Sequence, residues 1–216
     1  MKKEELLQAI AAFCKEKISP TIRICGHGGS RKSNFAEELT VYLGADRVNL
    51  PEGNLYVIPG QISKQLFLKA DQDGHLVDEA ITACHPARHE LISLKRDIAM
   101  LKRGMDLLTP DMPWKKEEVL RGSKPILLVE GMSPTFLDKD LFDLPIFIYT
   151  DAETELSRRL ARDVAERRRI PDFIQKNADR RRRQYQAFME SYKEDFDIII
   201  NQSANQFLVE AVSFPK

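Results

Sequence analysis

Long apolar runs and a paired set of cysteines are both missing from this sequence of 216 residues. No apolar stretch approaches the ~20 residues that a membrane-spanning helix needs, so we expect no membrane partner. The three cysteines, Cys14, Cys25 and Cys84, are an odd number and indicate no disulfide framework. The residues Met1 to Lys3 are followed at once by two glutamates, which argues against a signal peptide. We therefore expect a cytoplasmic protein in a reducing environment.

Net charge is missing as well, because 33 Lys and Arg residues balance 33 Asp and Glu residues. This balance argues against a protein built to coat nucleic acid, and we expect no nucleic-acid partner. The charge is nevertheless segregated, since residues 156–183 carry 11 basic and 4 acidic side chains, a net of +7. The otherwise ordinary composition excludes collagen-like, low-complexity and wholly disordered proteins.

The order of the predicted elements is typical of an α/β protein. Apolar residues at helical spacing predict a helix over about 4–17, and the β-branched run Thr21–Cys25 predicts a strand. Further predicted strands are 47–50, 126–129, 145–149 and 198–200, and further predicted helices are 86–104, 153–169 and 172–194. Residues 71–74 predict a turn, and 109–116 predict a loop. The short, nearly unbroken apolar runs suit a parallel sheet that helices cover on both faces.

The segment Gly26–Ser33 lies between a predicted strand and a predicted helix and matches most of the phosphate-loop pattern G-x-x-x-x-G-K-[ST]. Glycines let backbone N–H groups curl around phosphates, and the helix adds the positive end of its dipole. In this pattern Lys32 reaches the β- and γ-phosphates, and the hydroxyl of Ser33 holds Mg²⁺. Arg31 stands in place of the second glycine, so it either supplies a phosphate contact or blocks the nucleotide. A glycine-rich turn that only packs is the remaining alternative.

Several later segments carry a resemblance to a known family, in that family's order. They are Cys84-His85-Pro86 with the helix end Leu101–Gly104, Leu128–Met132, Leu141–Ala152, Arg158–Arg167 and Phe196–Ile200. With the glycine loop, they resemble the uridine kinase (uridine–cytidine kinase) and phosphoribulokinase-like branch of the P-loop kinases over residues 21–203. The resemblance implies a P-loop NTPase-type three-layer α/β fold, with a mostly parallel sheet flanked by helices and a lid helix. It also implies one kinase-like domain over 1–216, with an N-terminal helix in 1–20, a substrate-side helix and loop in 84–116, and a lid region in 153–170.

The resemblance implies a phosphotransferase that moves the γ-phosphate of ATP or GTP, with Mg²⁺, to a hydroxyl of a nucleoside or sugar-like molecule. Catalytic roles are implied for Lys32, Glu130 and Arg162, with Ser33 and Glu130 at the metal. The implied cofactor-binding residues are Gly26, His27, Gly28, Gly29, Ser30, Arg31, Lys32, Ser33, Asn34, Arg158 and Arg167. The implied substrate-binding residues are Tyr56, Cys84, His85 and Trp114.

The predicted lid helix has two contrasting faces. Arg158, Arg162 and Arg169 fall on one face, because their separations of four and eleven residues are close to whole helical turns. Leu156, Leu160 and Val164 form the opposite, apolar side. We therefore expect the apolar side to pack on the core and the arginines to face outward or over a cleft. A solvated basic face paired with neighbouring acids is the alternative.

Two departures from the family's pattern lie outside the glycine loop. In Glu52–Tyr56, glycine or asparagine stands where the family has the aspartate that takes the proton of the attacking hydroxyl. Glu52 is then the only nearby candidate for a general base, which contributes about 10²–10⁴ in rate. Cys84 stands where an aspartate would hold ribose hydroxyls, and Trp114 could either stack on a base or anchor a loop.

These departures leave alternative functions open. One is a kinase-fold protein that binds a nucleotide or a phosphorylated metabolite without transferring phosphate. Another is a nucleic-acid-binding module that uses residues 156–183. The acceptor, the choice between ATP and GTP, and homo-oligomerisation stay open as well. Zinc is not expected, because Cys84, His85 and His89 lack a fourth ligand.

Overall fold

A computed structural model describes residues 1–72, 74–112, 115–165, 168 and 170–215, with the backbone alone at residue 72. The helices are α1 (Lys3–Glu16), α2 (Lys32–Leu43), α3 (Gly60–Ser63), α4 (Leu91–Lys102), α5 (Ala152–Ala165), α6 (Pro171–Lys176) and α7 (Ala178–Phe188). The strands are β1 (Thr21–Cys25), β2 (Val48–Asn49), β3 (Phe67–Gln72), β4 (His75–Ala80), β5 (Leu107–Leu108), β6 (Val119–Leu120), β7 (Ile126–Gly131), β8 (Leu144–Tyr149), β9 (Ile198–Asn201) and β10 (Leu208–Val212).

Six of these strands form the central sheet, in the order β10-β9-β8-β1-β7-β2. All neighbouring pairs are parallel except β10 with β9. Every residue of β1 and β7 is buried, since helices cover both faces of the sheet. This explains the apolar run 126–129 of β7, whereas β1 also buries the charged side chain of Arg23. The predicted mostly parallel α/β fold is therefore confirmed.

The two faces of the sheet pack against different helices. On one face, Ile24 and Leu128 join Leu6 of α1 and Leu39 of α2 in one apolar cluster. On the other face, Val129 and Leu127 pack with Leu94 and Ile98 of α4. Alternate residues of β7 thus serve opposite cores, as the two-residue repeat of a strand requires. By this alternation Glu130, at the end of β7, lies on the α2 side of the sheet.

Several element boundaries differ from those predicted. The helix predicted over 86–104 is a 3₁₀ turn, Pro86–Arg88, followed by α4. The imidazole of His85 caps the start of the turn by accepting from the backbone N–H of Ala87, and the non-helical backbone of His89 and Glu90 separates the turn from α4. The helix predicted over 172–194 is divided into α6, α7 and the 3₁₀ segment Glu190–Asp195. The strand predicted over 47–50 is only two residues long.

The sequence did not predict the strand pairs β3–β4 and β5–β6 or the edge strand β10. The hairpin β3–β4 surrounds the predicted turn, where the backbone N–H of Gly74 donates to Asp71 and Gly74 has a φ of 81°. Its strand β4 and the edge strand β10 are mostly exposed, so their sequences lack a buried apolar run. No helix among the residues that the structure describes is both long enough and apolar enough to cross a membrane.

Candidate phosphate-binding site

The glycine loop connects the end of β1, at the carboxyl edge of the sheet, to the first turn of α2. Gly26 has a φ of 143°, and a Cβ atom there would lie 1.8 Å from the carbonyl oxygen of Ile148 on β8. Only glycine fits such a contact, so the chain turns tightly and passes close to the neighbouring strand. The first glycine of the pattern is thus required by the backbone itself.

Lys32, Ser33 and Glu130 meet where α2 begins. The Ser33 hydroxyl donates to Oε1 of Glu130 at 3.0 Å, and the Lys32 ammonium lies 3.6 Å from the same oxygen. Lys32 and Glu130 are both buried, at 6% and 2% exposure. A carboxylate and a hydroxyl are the hard oxygen ligands that suit Mg²⁺, and the lysine adds a cation beside the N-terminus of α2. The loop pattern predicted Lys32 and Ser33, the family resemblance implied Glu130, and the fold brings the three together.

Arg31 holds the left-handed backbone conformation, with φ 61° and ψ 24°, at the N-cap of α2. This is the conformation that glycine adopts most readily. The side chain of Arg31 is exposed. Burial lowers the pKa of Arg158, and the positive charge of Arg31, which lies close by, lowers it further. Arg31 therefore takes up the backbone position of the missing glycine while its side chain faces solvent on the Arg158 side of the loop.

His27 is fully buried within the loop and bridges three parts of the fold. Its Nε2 lies 3.1 Å from the backbone nitrogen of Thr150, at the end of β8. Its Nδ1 lies 3.0 Å from the carbonyl oxygen of Gly28 and 3.3 Å from Oε2 of Glu155 on α5. Its ring contacts the ring of Tyr185 on α7 edge-on, at 4.6 Å between centroids. The resemblance implied a cofactor-binding role for His27, and nothing in the sequence indicated these side-chain contacts.

Helix α5 turns a charged face toward the loop, which corrects the predicted orientation. Glu155, Arg159 and Asp163 are its buried residues, whereas Val164 is 40% exposed. The buried face is a ladder of ion pairs, with Arg159 3.4 Å from Glu155 and 3.6 Å from Asp163. A Cβ on Gly28 would lie 3.3 Å from the Arg159 guanidinium, so the loop's bare backbone admits this arginine. Opposite charges four residues apart were visible in the sequence and are the signal that could have revealed this face.

The predicted arginine row of α5 is divided between two tasks. The Arg158 guanidinium donates to the carbonyl oxygens of Gly29 and Gln202, at 3.2 and 2.7 Å, and joins the loop to the segment after β9. Arg162 pairs with Asp163, with a closest contact of 2.8 Å. Arg167 and Arg169, also named from the sequence, lie outside the described residues.

Glu52 and Gly53 lie beside Glu130 at the carboxyl edge of the sheet. Glu52 pairs with Glu130 in a parallel bridge, so both side chains point to the same face. The Lys115 ammonium, absent from the sequence-based site, contacts Oε1 of Glu52 at 2.5 Å. A Cβ on Gly53 would lie 2.8 Å from Pro134 and 3.0 Å from the carbonyl oxygen of Glu130. The backbone therefore leaves no room for an aspartate at Gly53, and Glu52 is the carboxylate next to it.

Comparison with known proteins decides the family. The model of the "Phosphoribulokinase / Uridine kinase family" matches residues 21–208. The chain belongs to this family. It is 26% identical to a uridine kinase of Halobacterium salinarum over 196 residues, which cover 87% of this chain and 82% of that protein. It is 25% identical to a chloroplastic phosphoribulokinase of Arabidopsis thaliana, covering 83% of this chain but only 48% of that enzyme.

The family's fold is found in solved structures too. The phosphoribulokinase from Rhodobacter spheroides superposes with a TM-score of 0.61, covering 85% of this chain and 70% of that one. The identity is 15%, so this likeness concerns the fold alone. It agrees with the resemblance drawn from the motifs, which is confirmed.

The residues expected on the acceptor side of this family member lie in different surroundings. The buried Tyr56 hydroxyl donates to Asp97 of α4 at 2.8 Å, and burial and this carboxylate raise its pKa. Cys84 is buried in a cluster with Tyr185, and burial raises the pKa of its thiol to about 11. His85 is half-buried, and its ring packs against Phe188. Trp114 lies outside the described residues.

Proposed function

We propose that this family member is an ATP-dependent phosphotransferase that moves a γ-phosphate to a hydroxyl of a nucleoside or similar small molecule. The observation that carries the proposal is the meeting of Lys32, Ser33 and Glu130 where α2 begins. Family membership over residues 21–208 supports it, and so does the uridine kinase that shares most of its length with this chain.

Each residue has a distinct part in the proposed reaction. The backbone N–H groups of Gly26–Ser33 and the Lys32 ammonium would neutralise the phosphates. Ser33 and Glu130 offer the oxygens that would hold Mg²⁺, which when bound supplies positive charge to the phosphate oxygens. Arg158 and Arg162, on the helix beside the loop, would supply further positive charge.

Glu52 is the proposed base. The acceptor oxygen would form a bond to the γ-phosphorus as the bond from that phosphorus to the bridging oxygen breaks, which releases ADP. The proton of the hydroxyl would pass to Glu52, whose Oε2 is left for it because Lys115 contacts Oε1. The acceptor hydroxyl would therefore lie on the face of the sheet that Glu52 and Glu130 share.

A second candidate function is the binding of a nucleotide or phosphorylated metabolite without transfer. It is favoured by Gly53, where no aspartate fits, and by the ion pair that occupies part of Glu52. Cys84 adds to it, because a buried thiol cannot replace an aspartate that holds ribose hydroxyls.

The test is ADP release from MgATP with a panel of nucleosides, sugars, sugar phosphates and sugar acids. The first proposal predicts turnover with at least one acceptor, lost in Lys32→Ala and kept in Lys15→Ala, an exposed lysine of α1. Background rates with every acceptor would refute it. Thermal stabilisation by MgATP without turnover would then support the second candidate, and no stabilisation by any nucleotide would refute both.

A further inference from the structure

His27 contacts the loop, the sheet and two helices through a single side chain with no solvent exposure. The carbonyl of Gly28 and the carboxylate of Glu155 can only accept hydrogen bonds from a neutral or charged ring, so we assign the proton to Nδ1. The Nε2 of a neutral ring then accepts from the backbone N–H of Thr150. The carbonyl oxygen of Thr150 also lies 3.1 Å from Nε2, and it accepts from Arg182 instead. Burial lowers the pKa of His27 and so favours this neutral form.

The hydrogen on Nδ1 is shared between the loop and helix α5. Gly28 belongs to the backbone that would wrap phosphate, and Glu155 belongs to the ladder of ion pairs along α5. Any rotation of the Gly28 peptide therefore changes how this hydrogen is divided between Gly28 and Glu155. The strength of the hydrogen bond from His27 to Glu155 therefore depends on the conformation of the loop.

Helix α7 extends the same connection toward the β3–β4 hairpin. Arg182 lies over the ring of Tyr185 and donates to the carbonyl oxygen of Thr150 at 3.2 Å. The next two residues face the hairpin, where Arg183 and Gln184 hold the buried Glu79 at 2.6 and 2.8 Å. One helix thus contacts both the surroundings of His27 and strand β4.

We propose that His27 is a positioning residue that couples the occupant of the phosphate loop to the lid helix α5. The inference rests on the proposed function for the nature of that occupant, a nucleotide. The loop pattern leaves the position of His27 unconstrained, so the coupling follows from this sequence and not from the pattern.

The test is amide hydrogen exchange of residues 152–165 with and without MgADP, measured on wild type and three variants. His27→Gln can place its amide oxygen near the position of Nε2, where it accepts from Thr150, but it has no N–H at the position of Nδ1. Glu155→Ala removes the partner on α5. Glu153→Ala is the matched control, since Glu153 lies exposed on the same helix. We expect MgADP to slow exchange severalfold in wild type and in the control, and to leave it unchanged in the other two variants.

Three results would overturn the coupling. They are a wild type that binds MgADP without slower exchange in α5, a His27→Gln variant with the full wild-type response, and a Glu155→Ala variant with that response. If His27→Gln does not fold, Glu155→Ala decides, because it leaves the loop sequence intact.

If wild type binds no MgADP, the proposed function fails, and the coupling is tested by hydrogen exchange without nucleotide. His27→Gln must then exchange severalfold faster than the control in α5, and equal rates would refute it.

Discussion

Arg31 shows how a single residue can depart from a pattern while the backbone keeps the pattern's shape. Its left-handed φ of 61° is what glycine would adopt, and for a residue with a Cβ this costs about 1–2 kcal/mol. The side chain is exposed, so the substitution does not fill the loop from within. Arg31 therefore lowers the stability of the fold through backbone strain.

Arg31→Gly should therefore change the free energy of unfolding by about 0 to +1 kcal/mol, because the relief of about 1–2 kcal/mol of strain is partly offset by about 0.5–1 kcal/mol of added chain entropy. Urea unfolding followed by circular dichroism measures the change. The control is Arg103→Gly at the exposed C-cap of α4, where φ is −91°. There glycine adds only chain entropy to the unfolded state, and we expect a loss of about 0.5–1 kcal/mol. Equal losses in both variants would contradict the strain at Arg31.

His89 gives a prediction for the dependence of stability on pH. It is buried, with Nε2 2.8 Å from the carbonyl oxygen of Ala83 and Nδ1 2.7 Å from the Ser133 hydroxyl. Burial lowers its pKa from 6.5 to about 4. As the pH falls, His89 of the unfolded chain is therefore protonated near pH 6.5, whereas His89 of the folded chain is protonated only near pH 4. The stabilisation is complete above pH 6.5 and is lost as the pH falls toward 4, by roughly 3 kcal/mol at most.

In His89→Gln, the slope of Tm against pH between 6.5 and 4 should be shallower than in wild type, since one depressed histidine is gone. His75→Gln, at an exposed position of the hairpin, should keep the wild-type slope. Scanning calorimetry at several pH values measures both. An unchanged slope in His89→Gln would show that His89 is not the group responsible.

At the scale of elements, helix α5 shows where sequence reasoning fails. Its leucines and its charged residues both recur at helical spacing, and apolar residues are the usual choice for the buried face. The helix instead lies against a loop of glycines and carbonyl groups, which a guanidinium can reach and a leucine cannot satisfy. The face of α5 that is buried depends on the surface that α5 packs against, and the sequence of α5 alone does not show what that surface is.

Arg159→Met should lower the free energy of unfolding by about 2–4 kcal/mol, because it leaves the buried carboxylate of Glu155 with the more distant Arg182 guanidinium, at 3.8 Å, as its cation. Asp163 keeps its contact with Arg162, so the cost falls mainly on Glu155. The control, Arg103→Met, replaces an exposed arginine and should change stability by less than about 0.5 kcal/mol. Chemical unfolding of the two variants side by side gives the comparison, and equal effects would rule out the buried ladder.

The site itself was predictable to an uneven degree. Lys32 and Ser33 follow from the loop pattern. Glu130 was implied by the family resemblance, which agrees with the rule that ligands gather at the carboxyl ends of parallel strands. Lys115 was out of reach, because its contact with Glu52 joins residues 63 positions apart. The contacts of His27 could not be predicted either, since Thr150, Glu155 and Tyr185 become its neighbours only after folding. Apolar runs predicted the buried strands, and the exposed strands of the hairpin lacked that signal.

At the scale of the whole molecule, the cancelling charges have a structural meaning. Several arginines of the basic segment 156–183 lie against carboxylates, with Arg159 and Arg182 near Glu155 and Arg183 at Glu79. These pairs lie within α5 or join α7 to α5 and to the hairpin, so much of the local excess of positive charge is neutralised inside the fold. The preference for a small phosphorylated ligand over a long polyanion stays a prediction.

The central claim is that the loop Gly26–Ser33 holds the phosphates of a nucleotide despite Arg31. Titration calorimetry of MgATP into wild type and Lys32→Ala tests it most directly. The account predicts saturable one-to-one binding by wild type and an affinity at least about tenfold weaker in Lys32→Ala, a loss of about 1.4 kcal/mol. Equal affinities in the two proteins, or no binding by wild type at millimolar MgATP, would contradict it.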